Sequence, residues 1–125
     1  MASVVAFSAQ AATLTSGNDY PTTLQTSQSA NHLLSFTTPS GVAEGETIII
    51  TFASDFDTSS LTEDDVDITD DSTDLTTAAD CTGSEQASVG ISSDVVTITI
   101  CTGDGGAMAA TSVVDVEIGS NATTS

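Results

Sequence analysis

Apolar and polar residues alternate with a period of two along most of the chain. Residues 31–38 (NHLLSFTT) put Leu34 and Phe36 on one face, and Pro39-Ser40-Gly41 then break the run. Residues 46–53 (ETIIITFA) put Ile48, Ile50 and Phe52 on one face, with Thr47, Ile49 and Thr51 opposite. Residues 64–69 (DDVDIT) set Val66 and Ile68 against acids that are expected to face water. Residues 112–118 (SVVDVEI) give the clearest case, with Val114, Val116 and Ile118 inward and Asp115 and Glu117 outward. A period of two is the signature of a half-buried strand.

Shorter signals complete the pattern. Residues 87–91 and 94–101 read as a hairpin around Ser92-Ser93, with Val96, Ile98 and Ile100 inward. Asp70-Asp71-Ser72-Thr73-Asp74 reads as a polar turn, and residues 75–79 as a further short strand. Gly103-Asp104-Gly105-Gly106 reads as a flexible turn. Ser60 followed by Glu63 suggests a capping box on a short helix near residues 59–64. No long segment holds a 3.6-residue period. The prediction is all-β: an immunoglobulin-like β-sandwich of about seven strands, plus an N-terminal extension strand.

That extension occupies residues 1–15, ahead of a sandwich over residues 16–125. Val5, Phe7, Ala9 and Ala11 fall on one side of an extended strand, with Val4 on the other. Ser16-Gly17-Asn18-Asp19, followed by Tyr20-Pro21, reads as a hinge behind it. Ala9-Gln10-Ala11 fits a signal-peptidase site, but the basic region and most of the apolar core of a signal are missing. The segment is also too short to span a bilayer. Two uses remain for it: strand A of its own sandwich, or a donor strand that completes a neighbour's sheet.

Composition narrows the function. Among 125 residues there are no Lys, no Arg, 18 acids and one His, for a formal charge of −18. Such a surface repels nucleic acid and anionic headgroups. A phosphate loop needs a Lys that is absent here. Apolar content favours Val and Ile, which suit strands.

Cys81 precedes a strand and Cys101 ends its neighbour, which favours a disulfide over two buried thiols. It would close a loop of about twenty residues, worth roughly 3 kcal/mol, and place the chain in an oxidising compartment. No zinc spacing is present.

The run 30–38, the turn Gly41-Val42-Ala43-Glu44-Gly45, then Glu46 to Phe52, Phe56-Asp57 and Asp65-Val66-Asp67 resemble the opening half of Ig-like domains in secreted bacterial surface proteins. The resemblance spans roughly residues 13–120. It implies an extracellular structural or adhesive module with no catalytic residues. In its uncharged leading strand the chain is also similar, more loosely, to donor-strand pilins. The function expected is therefore a secreted structural subunit of a filament, pilus or surface layer, whose partners are other copies of itself. Copies so strongly charged repel one another, so assembly is expected to weaken at very low ionic strength. A monomeric adhesive or carbohydrate-binding module is the competing class, and an acid-rich domain adapted to high salt a third.

Candidate chemistry is sparse. Acids crowd between Asp55 and Asp74, and Ca²⁺ is the ion their oxygens would take, with Asp70, Asp71 and Asp74 the densest cluster. The competing reading is solvated carboxylates, and no cofactor is otherwise expected. His32, beside Leu33 and Leu34, reads as a partly buried structural residue. With no G-x-S-x-G elbow, no enzyme is expected. Asn121-Ala122-Thr123 is a glycosylation sequon in a polar tail.

Overall fold

A computed structural model describes residues 14–25 and 27–123 of the chain. It is all-β. Among the described residues nine strands run in chain order: β1 Thr15–Pro21, β2 His32–Thr38, β3 Thr47–Thr51, β4 Val66–Asp70, β5 Thr73–Asp74, β6 Thr77–Ala78, β7 Ala87–Ser92, β8 Val95–Ile100 and β9 Ser112–Ile118. They form a five-stranded sheet, β1-β2-β9-β4-β5, and a four-stranded sheet, β3-β8-β7-β6.

The alternating runs form the interior as expected. Val66, Ile68, Val96, Ile98, Ile100, Val114 and Val116 have no solvent exposure. They come from both sheets and interdigitate as the single core of a two-layer sandwich. β9 sits centrally, between β2 and β4. In the constant-type immunoglobulin order the last strand instead lies in the sheet that holds strands C and F.

The turns follow from local chemistry. Asp71 and Ser72 both take positive φ (47° and 69°), as a two-residue hairpin turn between β4 and β5 requires. Asp71 also exchanges bonds with β9: its N–H donates to the Val113 carbonyl, and its carboxylate accepts the Val113 N–H, each at 2.8 Å. Gly41 has φ +78°, and a Cβ there would collide with the Met108 carbonyl, because Val42 and Met108 form a two-bond bridge between loops.

Several expectations are corrected. The 3₁₀ turn is Glu63–Asp65, capped by Thr62 rather than Ser60. Asp65 closes the cap by accepting the Thr62 N–H at 2.9 Å. Ser16-Gly17-Asn18-Asp19 is no hinge: it lies within β1, as an irregularity in the antiparallel ladder with β2, and Ser16 has φ 56°. The loop 103–106 is not loose at its start. The Glu44 carboxylate accepts the N–H of Gly103 at 2.9 Å and of Gly105 at 3.2 Å. Asp67 does not face water: it is 5% exposed, because β5 runs beside β4 and brings Asp74 against it.

Candidate functional site

Two features stand out, and both lie on the β1–β2–β3 side of the sandwich. The first is a ledge. The His32 ring on β2 meets Phe52, just past β3, edge-on at 5.4 Å. β2 therefore lies over β3. β1 is one place further out, and among the described residues no strand of the second sheet lies opposite it. The burial agrees: six of its seven residues are exposed, on both faces. Asp19 shares the inward face with its partner Leu34, yet its side chain is 46% exposed. Leu34, Ile50 and Phe52, which line the sandwich below the ledge, are only partly buried.

The second feature is an open cleft of about 1010 Å³ at the end where β2 begins and β9 finishes. His32 forms part of its wall. Its Nδ1 lies 3.0 Å from both carboxylate oxygens of Asp19, which it meets from the adjoining strand. Phe52 and Phe56 pack edge-on against the ring, Phe56 at 5.6 Å. Phe56 remains 47% exposed and gives the cleft an aromatic surface. Asp57 lines the same cleft. The Ser59 hydroxyl and N–H donate to its carboxylate, at 2.6 and 3.1 Å, and hold it below the ordinary carboxylate range. A His–Asp pair alone is not a catalytic unit: it needs a nucleophile on the other ring nitrogen. No hydroxyl bonds His32 among the described residues, where its hydrogen bonds run to Asp19.

The expected site residues are distributed differently. Val4, Val5, Phe7, Ala9 and Ala11 lie outside the described residues. Cys81 and Cys101 form the disulfide, with Cα atoms 5.5 Å apart. This bond fits an oxidising compartment. Among the described residues, no helix is long and apolar enough to cross a membrane.

Asp70, Asp71 and Asp74 do not converge. One Asp70 oxygen is buried without a partner, Asp71 is spent on the Val113 N–H, and Asp74 turns to Asp67. No group of three or more potential metal ligands exists among the described residues. Asn121 is exposed, but its N–H donates to Asn31 Oδ1 at 3.1 Å, so the backbone of the sequon is anchored rather than trailing.

Sequence reasoning missed two sets of residues. One is the Asp67–Asp74 pair, where burial, then the Asp74 charge, raises the Asp67 pKa from 3.8 to about 6. The other is Asp19, whose link to His32 depends on β1 pairing with β2. A Ser-Gly-Asn-Asp run carries no strand signal that could have revealed it. Comparison with protein-family models, with curated proteins and with solved structures finds no match for this chain.

Proposed function

We propose that the chain is an extracellular structural subunit with an immunoglobulin-like layer architecture. It assembles head to tail into a filament or surface layer by N-terminal strand insertion. The exposure of β1 on both faces carries this reading. A strand at the margin of a complete sandwich buries its inward side chains against the opposite sheet. β1 does not, so the sandwich offers room for one more strand. The uncharged run over residues 1–13 supplies a strand of matching pattern. Residues 1–13 and the body differ in charge in the sense that assembly needs: the body stays soluble while the inserting strand carries no acid.

Electron microscopy and light scattering of the purified chain test the reading. The full chain is expected to form filaments or higher oligomers. A chain lacking residues 1–13 is expected to remain a folded monomer and, because it accepts a strand but offers none, to cap the growth of the full chain. A full-length species that stays at 12.5 kDa at every concentration would remove the structural role.

A second reading rests on the end cleft. Phe56 and the polar side chains of Asn31 and Asp57 around it suit a small polar ligand such as a sugar. That reading makes the protein a monomeric adhesive module. It requires saturable glycan binding that Phe56→Ala abolishes while the fold is retained.

A further inference from the structure

The two sheets have four edges, and three of them are closed to strand addition. β1 carries the irregular ladder at Ser16 and Gly17, the acid Asp19, and Pro21, which has no N–H to offer. β5 and β6 are two residues long each. β3 has none of these defences. Its sequence is Thr-Ile-Ile-Ile-Thr, without charge, glycine or proline, in a chain of 18 acids. Natural edge strands of this kind are normally blunted, because they template pairing with another chain.

The ladder shows which groups are on offer. Residues of β3 and β8 pair in antiparallel register from Thr47 with Thr99 to Thr51 with Val95. Just outside it, the Ile100 N–H donates to Glu46 and the Phe52 N–H to Asp94. Bonded and non-bonded pairs alternate in such a ladder. The even-numbered residues therefore bond to β8. Thr47, Ile49 and Thr51 aim their N–H and carbonyl groups at the open edge. Ile49 itself is 62% exposed.

We infer that the outer edge of β3 is the acceptor for residues 1–13 of a second copy, which run beneath the β1 ledge as a fifth strand of the β3 sheet. This rests on the assembly reading above and names its contact. In this position Val5, Phe7, Ala9 and Ala11 face Leu34, Ile50 and Phe52, and cover the inward side chains that the sandwich leaves partly open. No acid lies in either paired strand, so the contact brings no like charges together. The donor is long enough. Thirteen extended residues reach at most about 45 Å, whereas five paired residues need about 17 Å.

The topology also favours a second copy over the chain's own strand. β1 begins at Thr15 in the opposite sheet, about 10 Å away across the sandwich. To fill its own slot the chain would have to cross that gap and reverse direction immediately before Thr15. Residues 1–14 contain no Gly, Pro, Asn or Asp to make such a turn. An extended exit to a neighbour needs no turn. An edge-to-edge pairing of two β3 strands is obstructed as well, because each β1 ledge occupies the space above the other molecule's edge strand.

The test uses the full chain and two substitutions on the open edge. Ile49→Pro removes an N–H that β8 does not use, and Ile49→Lys places a charge there without altering the backbone. Val113→Lys, on the outer face of the other sheet, is the control. Mass by light scattering and amide exchange at Ile49 and Thr51 are read together over a concentration series. The expected result is assembly of the parent and the Val113→Lys chain. On assembly, exchange at these two amides slows by at least about tenfold. Both Ile49 variants are expected to be folded and monomeric. Assembly that persists in both Ile49 variants keeps the structural role but overturns β3 as the acceptor. A parent that is monomeric with these amides already protected overturns the second copy as occupant. A parent that is monomeric with them unprotected overturns the assembly itself.

Discussion

Replacing Cys81 and Cys101 together by Ala lowers the unfolding free energy by about 3 kcal/mol. The bridged residues are 20 positions apart, and cutting a loop of that size returns conformational freedom to the unfolded chain. The native state adds its own reason. β6 and β7 pair in parallel, although parallel neighbours usually need a crossover of about a dozen residues or more. Here residues 79–86 make the return, and the disulfide fixes that loop to the end of β8. Cys101 is 1% exposed, so its half of the bridge is also part of the interior. Urea unfolding of parent and variant, monitored by far-UV circular dichroism, checks the figure. Equal midpoints would mean that hydrogen bonds such as Gln86 N–H to Thr76 hold the loop unaided.

The second large effect is one of pH. Asp67 has a folded pKa of about 6 against an ordinary 3.8, because it is buried beside Asp74, with Glu117 opposite it on β9. A carboxyl raised in this way stabilises the fold fully below the unfolded pKa of 3.8. That stability is lost as pH rises through 6. The ionised form is the costly one, and at neutral pH the protein bears the cost. Asp67→Asn imitates the protonated carboxyl: its amide oxygen can still accept the Ile68 N–H, and its NH₂ can donate to Asp74. The variant is therefore expected to be more stable than the parent at pH 7, by up to about 3 kcal/mol shared across the carboxyl pair. The gain is expected to vanish below pH 4. The difference between the two unfolding curves, taken from pH 3 to 8, is the proper readout, since net charge changes both proteins alike. A constant difference across that range would mean that Asp67 does not titrate in the window.

Much of the sandwich was legible from alternation. The 112–118 run became β9 with its expected inward face, and the 87–101 run became the β7–β8 hairpin. The period reports which side chains share a face, and a core needs little more. It does not report what packs over the other face, and so Asp67 was expected in water. Nor does it report a strand's place in its sheet. The Ile-rich 47–51 run forms an edge, a position that sequence pattern cannot distinguish from an interior one. β1 was illegible for the opposite reason. Its Ser, Gly, Asn and Asp carry turn propensity, and they become a strand because β2 provides the ladder. Of the candidate site, the disulfide could be read from strand ends. The ledge could not, because it arises from how the two sheets are offset.

The Glu44 contact belongs to a wider habit of this chain. Glu46 accepts the Ala43 N–H, Asp80 that of Thr82, and Glu85 that of Gly83, just as Glu44 accepts those of Gly103 and Gly105. Peptide dipoles do the work that lysine and arginine do elsewhere. Apart from the contact between His32 and Asp19, dissolved ions find no pairing of lysine or arginine with an acid to weaken; their main effect is to soften the mutual repulsion of the acids. Brine, which loosens many proteins built on ion pairs, is for this one a tightening solvent.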